Sequence, residues 1–318
     1  MLHTQGIVFN FSARDRSPPK QAQMKKKTKI SIILPVFQDQ ASLSKRLDEL
    51  KAQESEPSWD LVVVDDGSET PLSLGSNPEP NWVLERNETR QGAAFSRNRG
   101  ASKARGEYFI FLSVFLQIPA NYLNTILAFI QDHDPVYAQH SLVLSPTLTA
   151  THFQAFLGSS EKRVHDQGGQ LSIKQSLFTA ALIKAKVFQE AQGFDEEMQH
   201  YGGHEMDLIY RLSQSGYHQR QLIENCPLQR EVVSDHKTIQ RRLREYGKTG
   251  LPNLLKKHPK LKKDILVYPA IWDLTGFFGL HKLFESAIAR KIDADKALST
   301  ATYRLYLHLL MRNAWDAR

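Results

Sequence analysis

The chain has 318 residues, 41% of them hydrophobic, enough for one or two globular domains with a sizeable core. Lysine and arginine outnumber the acids 41 to 34, for a net charge of +7, and no apolar run reaches the roughly 18 residues of a membrane span. A single cysteine, Cys226, excludes an intramolecular disulfide and points to a reducing compartment.

Residues 1–27 lack the basic start, apolar core and cleavage site of a signal peptide and read as a flexible leader, with Met24 as a second candidate start. "ISIILPV" (Ile30–Val36) predicts a strand buried on both faces, and "SLSKRLDELKAQ" a helix with Leu43, Leu47 and Leu50 on one side. "LVVVDDGS" (Leu61–Ser68) predicts a second buried strand that ends in a turn, and "NWVLERN" a third. "GAAFSRNRGASKARG" reads as a helix closed by Gly106. "EYFIFLSVFLQIP" follows as an apolar strand without a charge after Glu107, and then a helix with Leu123, Ile126, Leu127 and Ile130 on one face. Strands alternating with helices predict an α/β fold with a mainly parallel sheet.

The second half is less regular. Residues 137–173 offer no interpretable motif. "SIKQSLFTAALIKAKVFQEAQGFDEEM" predicts a strand and a short helix ended by Gly193. "GGHEMDLIYRLSQSGY" predicts a glycine turn opening a helix, with Leu208 and Leu212 inward and Gly216 at its end. From Asp235 onward the pattern is helical, and residues Lys237 to Lys263 carry ten Lys/Arg against one acid, Glu245.

Ligands of open α/β sheets bind beyond the carboxyl ends of the strands, so chemistry is sought there first. Pro35, Val36 and Phe37 end the first strand; Asp65 and Asp66 end the second, where two adjacent carboxylates need water or hydrogen bonds. Arg97 offers a rigid fork suited to phosphate, with Asn98 beside it. Gly203 lets the backbone approach a ligand closely. Glu205 follows in the first turn of a helix, where the dipole favours its charge and a carboxylate can act as general base. His204 is an orienting candidate, Asp207 a cap or ion-pair residue, and His236 a single candidate metal ligand.

In order and spacing, "KISIILPVFQDQASLSKRLDEL", "WDLVVVDDGS", "RQGAAFSRNRGASKARGEYFIFL" and "GFDEEMQHYGGHEMDLIYRLSQSGY" resemble the family 2 glycosyltransferases, with a galactosyltransferase-type motif at "GGHEMDL". The resemblance implies the GT-A fold over residues 28–235, a Rossmann-like sheet flanked by helices, followed by a basic helical extension over 236–318. It implies a nucleotide-diphosphate sugar held by Pro35, Val36, Phe37, Asp65, Asp66, Arg97, Asn98 and Ser113, with Asp66 on the base. It makes Glu205 the catalytic base, Gly203, His204 and Asp207 acceptor-side or orienting residues, and His236 the completing metal ligand. The family's run reads approximately "GEYIxFLDxDDxxxP", whose acids bind Mg²⁺ or Mn²⁺. Here those positions carry Ser113, Phe115 and Leu116, none of them a carboxylate.

Three readings follow from this sequence. One is a metal-independent, inverting transferase acting on a saccharide or lipid-linked acceptor of cell-envelope polysaccharide synthesis. It would be cytoplasmic or peripheral at the inner face of the membrane, with Leu251, Leu254 and Leu255 beside Lys256 and Lys257 against anionic lipid. The second is a non-catalytic relative that binds nucleotide or saccharide or serves as a partner subunit. The third, a nucleic-acid binder, has no motif to support it.

Overall fold

The computed structural model describes residues 30–53, 59–162, 173, 178–198, 202–262 and 280–317. The predicted leader 1–27 lies outside them. Four strands carry the first half: β1 (Ile30–Val36), β2 (Trp59–Asp65), β3 (Trp82–Arg86) and β4 (Tyr108–Leu112). They pair in parallel, with β1 between β2 and β4. β4 is buried along its length and β1 everywhere but Pro35, as runs of Ile, Leu and Phe covered on two sides must be. α1 (Gln40–Lys51) starts at Asp39, whose carboxylate accepts from the Ser42 amide at 2.9 Å. α2 (Ala93–Lys103) leads into β4.

After β4 come β5 (Leu116–Gln117), α3 (Tyr122–His133), β6 (Tyr137–Leu144) and α4 (His152–Lys162). Next are β7 (Ala180–Lys184), α5 (Ala185–Glu190), α6 (His204–Gln214) and β8 (Arg220–Arg230). The eight strands form one sheet in the order β3-β2-β1-β4-β7-β6-β8-β5. Four of its strand pairs are parallel and three are not: β7 runs antiparallel to β4 and β6, and β5 antiparallel to β8. β8 pairs with β6 in parallel, but its register jumps between His140 and Leu142, so that residues 224–227 bulge out. Pro227, which cannot donate to a ladder, sits in that bulge.

The C-terminal layer is α7 (His236–Glu245), a π-helical turn (Tyr246–Gly250), α8 (Leu251–Lys257), α9 (Leu280–Asp293) and α10 (Thr300–Asp316). One of its clusters joins Phe153 and Phe156 of α4 to Ile288, Ile292, Tyr303, Tyr306, Leu309 and Leu310, so α10 packs on its own protein. A second cluster contains Tyr246, Leu251, Leu254, Leu255 and Leu261. Leu251 and Leu254 are fully buried and Leu255 nearly so. The three leucines read as a lipid-facing stripe are therefore core, because α8 is pinned between the π turn and residue 198.

Candidate active site

The turn after β2 is built around two saturated carboxylates. Burial raises the Asp65 pKa, but hydrogen bonds from Ser68, the Leu72 amide and Arg86 outweigh it, and the net displacement is downward. Asp66 is buried and accepts from Asn87 Nδ2 at 2.8 Å, the Gln91 amide at 2.9 Å, the Gly92 amide at 3.0 Å and Ser96 Oγ at 2.9 Å. These four donors make Asp66 the residue that holds the loop opening α2. Beside this turn the chain leaves β1 through half-buried Pro35 and Phe37, with Val36 inward. Gln38 adopts φ 52°, a strained backbone for a non-glycine residue, and its amide donates to Ser68 Oγ at 2.8 Å. The Arg90 guanidinium lies 4.4 Å from the centre of the Phe37 ring, exposed and with no ion-pair partner among the described residues. Arg90 opens the "RQGAAF" motif, yet its position over Phe37 is legible only in three dimensions.

Three consecutive residues of α2 tie the site together. Ser96 bonds Asp66. Arg97, buried, donates to Glu205 Oε1 at 2.9 Å and to the Phe178 carbonyl at 3.0 Å. Asn98 receives the Phe194 amide at 2.9 Å and donates to the Phe194 carbonyl at 2.8 Å. The side chains of Arg97 and Asn98 are thus engaged by α6 and the loop before it.

Gly202 and Gly203 take φ of 83° and 95°, open to glycine and strained for other residues. A Cβ on Gly202 would meet the Tyr246 ring at 2.7 Å, so the glycine pair is seated on the π-helical turn. From that turn α6 begins at His204. Glu205 lies in its first turn with a side chain 20% exposed, and its second oxygen has no hydrogen-bond partner among the described residues. Burial pushes the His204 pKa down to about 4, with Glu205 acting upward and Arg97 downward, so the ring is neutral at pH 7. Arg97 Nη1 lies 3.1 Å from His204 Nε2 and can only donate, which places the ring proton on Nδ1. That Nδ1 is buried and unpartnered among the described residues.

Asp207 faces away, into an ion-pair network. It is fully buried and meets Arg211 Nε at 2.8 Å, Lys257 Nζ at 2.8 Å and His258 Nε2 at 2.7 Å. Burial raises its pKa, while Lys257, His258 and Arg211 lower it by more. Through it α8 braces the start of α6. A cavity of about 880 Å³ opens between residues 192–198 and α8, with Asp195, Glu197, Arg211 and Lys256 in its wall; Glu205 does not line it.

The segment after β4 carries no charged side chain. Val114 and Leu116 are buried, and Phe115 packs against the main core. The Ser113 hydroxyl accepts the Phe115 amide at 3.3 Å. Buried Arg46 braces the turn from beneath, joined to Glu49 and Glu231 at 2.9 Å each. These residues do not fit a divalent cation, and among the described residues no three His, Cys, Asp or Glu side chains are grouped to hold one. His236 stands in the helical layer, with Nδ1 2.7 Å from Asp293 and Nε2 2.6 Å from Tyr306. Both ring nitrogens are therefore engaged, while Asp235 caps α7.

A mixed sheet with a polar turn at the end of β2 and a glycine-led helix carrying a carboxylate defines an α/β protein of the GT-A type. The overall fold matches that of the mannosyltransferase PcManGT from Pyrobaculum calidifontis, solved in complex with GDP-Man and Mn²⁺, with a TM-score of 0.60 over 92% of this chain and 89% of that one, at 14% identity. The sequence profile of Glycosyl transferase family 2 matches residues 31–190, half of the chain, and the chain belongs to that family. It is 34% identical over 83 residues to an uncharacterized glycosyltransferase of Haemophilus influenzae, spanning 26% of this chain and 28% of that protein. It is 34% identical over 80 residues to the putative polypeptide N-acetylgalactosaminyltransferase 13 of Drosophila melanogaster, spanning 21% and 14% respectively. The chain thus matches less than a third of the length of either relative. No helix among the described residues is long and apolar enough to cross a membrane.

Proposed function

We propose that the protein transfers a sugar from a nucleotide-diphosphate sugar to a hydroxyl of a saccharide or lipid-linked acceptor. The reaction inverts the anomeric centre, uses no acidic metal site at the end of β4, and serves cell-envelope polysaccharide synthesis on the cytoplasmic side. The observation that carries this reading is Glu205, in the first turn of α6, with one oxygen fixed by buried Arg97 and the other without a protein partner among the described residues. Glu205 Oε2 takes the proton of the acceptor hydroxyl. The oxygen attacks the anomeric carbon, the bond from that carbon to the phosphate oxygen breaks, and the nucleoside diphosphate leaves with the electron pair. Phe37 and Pro35 border the base, and Asp65 and Asp66 keep the β2 turn in shape for it. Arg97 and Asn98 act through Glu205 and the 193–196 loop. Arg90, exposed on Phe37, supplies positive charge toward the diphosphate, and Ser113 a neutral hydroxyl. Gly203 opens α6 so that Glu205 stands in its first turn, neutral His204 orients Arg97 through Nε2, and Asp207 holds the helix in place.

A second reading, a non-catalytic binder of nucleotide or saccharide, draws on the apolar turn after β4 and the internal engagement of Arg97. Release of nucleoside diphosphate from a panel of nucleotide sugars, with Mn²⁺ or EDTA, separates the two. Release that EDTA leaves intact and Glu205→Gln lowers by about 100- to 10,000-fold supports the transferase, since general bases contribute on that scale. Nucleotide binding without release from any donor supports the binder, and no nucleotide binding sinks both.

A further inference from the structure

The helices of the C-terminal layer bury one side, and α9 leaves an unusual other side. His281, Glu285, Ile288 and Ile292 face inward. The outward stripe runs Leu280, Leu283, Phe284, Ala287, then Arg290 and Lys291, at the i, i+3, i+4, i+7 spacing of one helix face. Leu280 is 43% exposed, Leu283 69% and Phe284 52%; the remaining large hydrophobic so exposed among the described residues is Val232. Single exposed apolar side chains are ordinary, but three within two turns of one helix mark a contact surface.

The charge around them identifies what covers it. Lys282, Arg290 and Lys291 are exposed, and none has an ion-pair partner among the described residues. The acids of the helix are accounted for: Glu285 is buried against Arg244 and Asn313, and Asp293 is held by His236 at the helix end. The outward face is therefore apolar in its first turns and cationic around and beyond them. Long basic side chains beside a shallow apolar stripe complement a surface that is anionic above and hydrocarbon below.

We propose that this face of α9 docks the protein on an anionic lipid surface. Leu280, Leu283 and Phe284 enter the headgroup–acyl boundary, while Lys282, Arg290 and Lys291 reach the lipid phosphates. The site stands apart from α8, whose leucines are core, and from the transfer reading, because lipid binding is measured with no sugar present. The full chain is sedimented with vesicles of phosphatidylglycerol and phosphatidylcholine (3:7) and with vesicles of phosphatidylcholine alone. Expected is binding to the anionic vesicles at least tenfold tighter than to the neutral ones. Leu283→Asp with Phe284→Asp weakens it tenfold or more, and the triple variant K282E/R290E/K291E weakens it on the order of 100-fold. Both variants keep the wild-type melting temperature, since the altered side chains lie in water. Three results overturn the proposal. One is wild-type protein that stays in the supernatant, or variants that bind as wild type does. Another is a melting temperature several degrees lower in the Leu283/Phe284 variant, which would mean the face is packed within the protein. The third is a concentration-dependent dimer in analytical ultracentrifugation that this variant abolishes, which would give the face to a second copy.

Discussion

The turns after β2 and β4 are counterparts. Both strands run parallel to β1 and flank it on either side, so their carboxyl ends open onto the same edge of the sheet. The first turn holds two buried acids that organise Ser68, Arg86, Asn87, Gln91, Gly92 and Ser96. The second holds no acid and is fastened by apolar burial above Arg46. A carboxylate at a strand end is thus no indicator of ligand chemistry by itself. In the first turn its partners are the protein's own donors, and in the second a hydroxyl, a ring and an aliphatic side chain fill the space with no charge to satisfy.

The contrast is broken most strongly at Asp66. Asp66→Ala strands the Asn87 amide, the Ser96 hydroxyl and the amides of Gln91 and Gly92 around a cavity. Buried donors left unmade cost about 1–3 kcal/mol each, less where water can enter, so the expected loss is about 3 kcal/mol. The urea midpoint checks it. A loss under about 1 kcal/mol would show that the loop finds other partners and that Asp66 is free for a ligand.

Acid tests another buried polar pair. His140 is fully buried, with Nδ1 donating to the Cys226 carbonyl at 3.0 Å and Nε2 3.1 Å from the Tyr122 hydroxyl, and burial pushes its pKa down to about 4. His204 is displaced to about 4 for the same reason. Both rings are neutral in the folded protein and take up a proton in the unfolded chain below pH 6.5. Their contribution is therefore fully present above pH 6.5 and is lost as the pH falls toward 4. A pKa moved from 6.5 to about 4 is worth roughly 3 kcal/mol per ring. Stability measured between pH 7 and 4 should fall steeply, and His204→Asn should flatten part of the slope. An unchanged slope in that variant would show that His204 does not contribute.

Much of this was legible from the chain alone. Continuous apolar runs give β1, β2 and β4, and the glycine turn before Glu205 gives α6, because those signals are local. β8 was not legible: Glu224, Asn225 and Pro227 interrupt it, and only its long-range pairing with β6 makes the interruption a bulge. The partners of Arg97 were not legible either. Arg97 and Glu205 are 108 residues apart, and a guanidinium beside a suspected phosphate site looks the same in sequence as one that fixes a carboxylate. The leucines of α8 show the converse limit, since helical spacing tells which face is apolar but not whether protein or lipid covers it.

The smallest effect is expected at Ser113. Its hydroxyl accepts the Phe115 amide at 3.3 Å, a long bond on a half-buried turn, where water can replace it. Its backbone carbonyl, which accepts the Leu116 amide at 3.1 Å, survives any side-chain change. Ser113→Ala should therefore shift the unfolding free energy by less than about 0.5 kcal/mol, the range of ordinary surface substitutions. The ratio of this loss to that of Asp66→Ala measures how differently the two turns are built. Equal losses would mean that the hydroxyl organises the turn after β4 as the carboxylate does its counterpart. A gap of 2 kcal/mol or more fits a turn held by Val114, Leu116 and Arg46, with the Ser113 side chain left free for a ligand.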